Sequence, residues 1–349
     1  MRTGIYCALA GAALFGASTP IAKLLVGEIQ PLVLAGLLYA GSGVGLGLWM
    51  VVRSLRRNRA GHSYPRFAAG DYKWLAGAVL AGGIVGPVLL MFGLAATPAS
   101  TASLLLNLEG VFTALLAWFA FRENFDRRVA LGMFLIVVGG ALLSLQPGDV
   151  ALSWSALAVA LACLCWAVDN NLTRRISAGD AVKIAAIKGL VAGALNLSVS
   201  MALQVPLPAA VPAGAAALVG LLGYGVSLVL FVVALRHLGA ARTGAYFSTA
   251  PFIGAALSFT MPGEAPDAFF WTAAVLMASG VTLHLVERHQ HLHRHEVLTH
   301  DHDHSHDEHH HHRHDFTWDG IEPHSHEHRH EPLSHSHPHY PDIHHRHGH

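Results

Sequence analysis

The side chains that could do chemistry fall into two sets. The first is a run of imidazoles: 24 of the 27 histidines lie in residues 287–349, interleaved with carboxylates. His300, His302, His304 and His306 alternate with Asp301, Asp303 and Ser305. His309, His310, His311, His312 and His314 follow, and His324, His326, His328 and His330 form a further cluster. Imidazole suits Zn²⁺, Ni²⁺, Co²⁺ and Cu²⁺, and closely spaced rings on a flexible chain can close on one ion while a carboxylate completes the shell. These thirteen histidines are the expected ligands of a divalent transition metal, and no other cofactor is called for.

The second set is four ionisable groups inside apolar runs, Lys23, Glu109, Asp169 and Lys188. Charge at hydrocarbon depth is costly, so such groups face a partner or a cavity, or reach for the surface. Glu109, flanked by Asn107 and the small Gly110, is the leading candidate for substrate or proton coupling, against a static hydrogen bond that fixes packing. Lys23 lines a cavity or snorkels along lipid. Lys188 snorkels or meets an anionic substrate. Asp169 is expected in an interfacial cluster with Arg174 and Arg175. Tyr246 could line a cavity, and Pro20, Pro87 and Pro251 fall where a missing N–H kinks a helix and frees carbonyls.

The elements that must position these groups follow from composition. Of 349 residues 53% are hydrophobic and 13% charged, against about 25% charged in ordinary globular chains. That balance argues against a soluble enzyme. Crossing a bilayer as helix takes about 20 apolar residues. Ten runs suffice, near 4–26, 32–52, 74–94, 98–121, 128–146, 153–172, 182–203, 213–235, 241–261 and 268–286. Lys and Arg concentrate in alternate loops (Arg53 to Lys73; Arg122, Arg127, Arg128; Arg174, Arg175, Lys183; Arg236, Arg242). Positive loops stay inside, which places both termini and the histidine tail in the cytoplasm. The zero net charge resolves into a body of +7 and a tail of −7. Cys7, Cys163 and Cys165 lie in apolar runs and form no disulfide framework.

Sliding the chain on itself until Glu123 falls on Glu264 also brings Asp126 onto Asp267, Gly139 onto Gly280 and Leu142 onto Leu283. Upstream, a somewhat larger offset places Phe15-Gly16 on Trp166-Ala167 and Lys23 on Arg174. Two five-span copies, 1–146 and 147–286, followed by a disordered His-rich tail at 287–349, are the predicted organisation. Five is odd, so the second copy enters the membrane inverted. Inverted repeats around a midplane site build alternating-access transporters.

Leu108-Glu109-Gly110-Val111-Phe112-Thr113-Ala114-Leu115-Leu116-Ala117-Trp118, then Arg122-Glu123, Gly132 and Gly139-Gly140, resemble the signature of the EamA-like branch of the drug/metabolite transporter superfamily. Ala250-Pro251-Phe252-Ile253-Gly254-Ala255, Glu264 and Gly280 repeat it more loosely. The chain departs from the family at Glu109-Gly110, where Glu-Pro is common, and at Phe15-Gly16, where Trp-Gly is. The resemblance implies a ten-helix inner-membrane transporter, commonly an exporter, and no particular cargo.

The expectation is thus an all-α secondary transporter of the inner membrane that exports a small organic metabolite, with a tail that buffers or senses metal. Its partners would be the lipid bilayer, a small-molecule substrate and divalent metal ions, with no nucleic acid. Two alternatives stand beside it: efflux of Ni, Co or Zn ions or of a metal-chelating metabolite, and a membrane-tethered metal sensor or store. No Walker-type G-x-x-x-x-G-K-[ST] segment or catalytic constellation suggests an enzyme.

Overall fold

The computed structural model describes residues 2–56, 70–121, 127–146, 149–176, 180–238, 240–261, 264, 266–285, 290–294, 299–304, 324–329 and 334–338. They belong to two compact units, Met1–Glu287 and Arg288–His349.

The first unit is helical: α1 (Arg2–Val26), α2 (Pro31–Arg56), α3 (Asp71–Ala78), α4 (Gly86–Ala96), α5 (Ala99–Leu105), α6 (Leu108–Phe121), α7 (Arg127–Ser144), α8 (Trp154–Arg174), α9 (Ala181–Ala202), α10 (Ala210–Val219), α11 (Ser227–Leu238), α12 (Ala240–Phe247), α13 (Ala250–Ser258) and α14 (Ala268–Leu285). A π-helical turn, Val79–Val85, joins α3 to α4, and a second, Gly220–Val226, joins α10 to α11. One short antiparallel pair, β1 (Leu145–Gln146) with β2 (Asp149–Leu152), follows α7. Among the described residues eight helical stretches are long and apolar enough to cross a membrane, and Ala268–Leu283 is a shorter apolar helix. The run expected at 241–261 is instead broken, with Ser248 and Thr249 between α12 and α13.

Large apolar side chains point both ways. Leu34, Leu38, Leu90, Met91, Leu94 and Leu105 are fully buried, whereas Leu48, Trp49, Phe119, Phe134 and Trp271 are exposed. An outward apolar surface of that extent is unfavourable in water and is solvated by lipid. The first unit is a multi-pass membrane protein.

The helix breaks have local causes. Pro87 lies in the first turn of α4, where its missing N–H is tolerated. Across the π turn the Gly86 N–H reaches the Ala81 carbonyl, which leaves the Gly82 carbonyl without its α-helical donor. Pro87 likewise supplies no donor to Gly83. Pro251 opens α13 in the same way, just past the Ser248-Thr249 turn. Pro20 sits inside a continuous α1.

The irregularities recur at the spacing at which the sequence resembles itself. Val79 and Gly220 open the two π turns, Ala99 and Ala240 open α5 and α12, and Arg127 and Ala268 open α7 and α14. Each pair is separated by the same step that superposes Glu123 on Glu264. Packing follows the same exchange. The first helix, α1, lies against α11, the second π turn and α13; α8 lies against α4, the first π turn and α6. The pairs α2 with α9 and α7 with α14 pack on each other. The α2–α9 contact needs glycine, since a Cβ on Gly43 would overlap the backbone of Gly189 and Leu190.

In the second unit, where the sequence predicts a tail without secondary structure, four short segments are paired. The strand β3 (Gln290–Arg294) pairs antiparallel with β6 (Ser334–Pro338), and β4 (Thr299–His304) with β5 (His324–Arg329). Alternation of histidine with a second residue has the period of a strand. The register sets His300 opposite His328, His302 opposite His326 and His304 opposite His324. The side chains of these six, and the expected ligands His306, His309, His310, His311, His312, His314 and His330 altogether, lie outside the described residues.

Candidate functional site

The eighth helix carries Trp166, Asp169, Asn170, Asn171 and Thr173 within about two turns. Thr173, four residues beyond Asp169 and so on the same face, donates its hydroxyl to Asp169 Oδ1 at 2.8 Å. Lys188 of α9 donates its ammonium to both carboxylate oxygens, at 2.6 Å to Oδ1 and 2.5 Å to Oδ2. The two side chains are 9% and 8% exposed, so this is a buried ion pair. Lys188 therefore does not snorkel, and Asp169 meets a cation 19 residues downstream. Of the arginines expected beside it, Arg175 stacks over Trp74, 5.3 Å from the ring centroid, and the Arg174 side chain lies outside the described residues.

The first π turn closes over this pair. A Cβ on Gly82 would overlap the Asp169 carboxylate, so only glycine fits there. The Gly82 carbonyl freed by the π turn accepts from the Tyr39 hydroxyl at 2.6 Å and from Trp166 Nε1 at 3.0 Å. The Gly83 carbonyl accepts from Asn196 Nδ2 at 3.4 Å. Four elements, α2, α8, α9 and the π turn, are thus tied by buried polar contacts, each of which is costly to leave unmade.

Glu109 stands in the first turn of α6, directly after the α5–α6 break, and is half-buried. Its partner is Asn170 Nδ2, 2.7 Å from Oε1. Asn170 also approaches the Thr113 hydroxyl at 3.4 Å, and Asn171 Nδ2 donates to the Thr113 carbonyl at 3.2 Å. Neighbouring residues of one helix therefore hold both carboxyls, and Asp169 and Lys188 lie within electrostatic range of Glu109. Asn107 stays local: it donates to the Leu104 carbonyl at 2.9 Å and touches Met277 Sδ at 3.9 Å. Beside this polar cluster Phe15 meets Trp166, Tyr224 and Phe247 at ring-centroid distances of 6.2, 6.0 and 5.6 Å. Tyr224 in turn stands 5.5 Å from Tyr39. Phe247 rather than the half-buried Tyr246 joins this group.

Lys23 and Glu264 serve one helical hairpin. Lys23 donates to the last carbonyls of α4, Leu94 at 2.6 Å and Ala95 at 3.2 Å. Glu264 accepts from the Ala99 N–H at 2.6 Å, from the Ser100 N–H at 3.3 Å and from the Ser100 hydroxyl, at the start of α5. A cation at a helix C-terminus and an anion at an N-terminus both complement the orphan backbone groups. Sequence reasoning missed this role of Glu264, although its repeat match to Glu123 marked it. Glu264→Ala is expected to lower stability by about 1–2 kcal/mol, read as a reduced melting midpoint in detergent.

Among the described residues no group of three or more His, Cys, Asp or Glu side chains could hold a metal ion. The site is one of buried opposite charges, aromatic rings and carbonyls outside the α-helical pattern, between the apolar helices of a membrane protein.

The comparisons with known proteins agree with that class. The EamA-like transporter family matches residues 2–145 and 153–286, and the chain belongs to it. An uncharacterized transporter of Methanothermobacter thermautotrophicus is 29% identical over 282 residues, covering 76% of this chain and 81% of its own length. The uncharacterized transporter YyaM of Bacillus subtilis is 24% identical over 294 residues, covering 79% and 92%. A solved structure titled "Crystal structure of protein" shares the fold, with a TM-score of 0.59 at 18% identity over 80% of this chain and 95% of that one.

Proposed function

We propose that the chain is a secondary transporter of the inner membrane that exports a small organic metabolite by alternating access. In this reading ten helices form two inverted five-helix repeats, 1–146 and 147–286, and both termini are cytoplasmic. What carries it is the recurrence, at the step of the sequence repeat, of the π turn and of the helix opening before the second break, together with packing partners that exchange between the halves. A two-fold scaffold of broken helices can rock about a midplane site and expose it to either face. Glu109, placed at one of the breaks and held by Asn170, is the coupling group.

The test is transport in proteoliposomes across a pH series. Glu109→Gln is expected to make the pH dependence shallower and cut transport by about tenfold or more, the contribution of a charge-assisted hydrogen bond. A Gln variant that transports like wild type at every pH overturns the assignment.

The tail at 287–349 binds divalent transition metal in the cytoplasm and adjusts transport to metal supply. Opposed histidines in the β4–β5 ladder support this part of the reading, because directly opposite residues on a ladder are near neighbours. Deleting residues 287–349 is expected to leave transport of the organic cargo intact and to remove its response to added Zn²⁺ or Ni²⁺. Loss of metal efflux on deletion would instead favour a pore that moves the ions themselves.

A further inference from the structure

The Asp169–Lys188 pair is absent from the matching place in the other half. The shift that superposes Phe15 on Trp166 sets Ser18 on Asp169, and Ser18 takes the same role: a Cβ on Gly223 would stand 2.5 Å from Ser18 Cβ, as one on Gly82 would overlap Asp169. The helices α2 and α9 open at Pro31 and Ala181, and aligning those starts sets Leu38 opposite Lys188. Ser18 and Leu38 are 2% and 0% exposed. The same helix-to-π-turn contact is therefore made once with a neutral pair and once with two charges. Burying an ion pair costs desolvation, and the other half makes its contact with the π turn without any charge, so the contact itself does not require one.

The geometry points to a carboxylate-binding site in which Lys188 exchanges Asp169 for a carboxylate of the transported solute, while Asp169 takes up a proton. This rests on the transporter reading above and names the charge class of its cargo. Among the described residues Asp169 is the acceptor of Lys188, so the ammonium leaves it only for another anion. Asp169 is the more easily released partner, because it keeps its Thr173 hydrogen bond when it is protonated and neutral. The exchange conserves charge: Asp⁻ with Lys⁺ becomes AspH with Lys⁺ and one bound carboxylate, so anion and proton move together. The ionisable groups around the pair are Glu109 on α6, Tyr39 on α2 and, beyond Tyr39, Tyr224 of the second π turn. Among these described groups there is no second cation. Glu109 lies on the side of Asn170 and disfavours a second anion unless it is protonated, which steepens the dependence on pH in the same direction.

The test uses the full chain in proteoliposomes with labelled probes of three classes: acetate, pyruvate and succinate; putrescine; and the neutral solute glycerol. Wild type is expected to move at least one carboxylate, faster as pH falls on the side of entry. Asp169→Asn is expected to flatten that pH dependence. Asp169→Ser with Lys188→Leu, which copies the neutral pair of the other half, is expected to fold with the melting midpoint of wild type and to lose carboxylate transport by about tenfold or more, the worth of a charge-assisted hydrogen bond. A folded double variant that still moves the carboxylate with the wild-type pH profile overturns the proposal. Transport of putrescine or glycerol without any carboxylate overturns it too, and leaves the transporter reading standing. A wild type that moves none of the probes overturns both.

Discussion

Lys188→Met on its own is expected to destabilise the protein by about 3–5 kcal/mol, the cost of leaving one member of a buried ion pair without its partner. Of its described partners the carboxylate of Asp169 would keep the Thr173 hydroxyl, and the π turn over it offers a Gly82 carbonyl that faces Tyr39 and Trp166. Water cannot replace the ammonium where the side chain is 8% exposed. Adding Asp169→Asn to Lys188→Met removes the stranded charge and is expected to restore about 2 kcal/mol or more, a coupling far outside the additivity of independent sites. Melting midpoints of the four chains in one detergent measure it. Equal midpoints for wild type and Lys188→Met would mean that the pair is open to solvent.

Eight of the expected spans are legible in the sequence because a bilayer sets a length and an apolarity that few other structures need. Partners are not. Asp169 reads in one dimension as a neighbour of Arg174 and Arg175, one turn along its own helix, whereas its cation arrives from α9 across a helix hairpin. Glu109 stands out by its depth in an apolar run, but its partner Asn170 is 61 residues away and reads as part of the interfacial cluster.

The breaks show the same division. Pro87 and Pro251 mark two of them, yet the π turn before Pro87 starts eight residues earlier, at Val79, and the α5–α6 break at Leu106-Asn107 has no proline. Gly110 stands there at the position that the repeat matches to Pro251, and a Cβ on it would meet nothing within 4 Å. Irregularity at that position is thus imposed by the repeated fold and not by the local residue. In the tail, the same two-residue alternation that supplies the imidazoles is also the period of a strand.

Gly220→Ala is expected to be the most damaging single-methyl substitution in the membrane unit, at about 3 kcal/mol, near the top of the usual range for overpacking. Gly220 opens the second π turn and packs on α2 so closely that a Cβ would overlap the Leu38 carbonyl, carbonyl carbon and Cα. All three are backbone atoms in a helix whose far side is pinned to α9 through Gly43 and Gly189, so neither helix can yield without opening the other contact. Gly214, six residues earlier in α10, is the control. It is exposed, a Cβ there meets nothing within 4 Å, and alanine should gain up to about 1 kcal/mol through helix propensity. Opposite shifts of the two melting midpoints are the expected result. Because the second π turn packs on both α1 and α2, Gly220→Ala is also expected to slow transport more than its loss of folded protein accounts for. A variant that melts and transports like wild type would show that α2 and this turn do not approach at backbone distance.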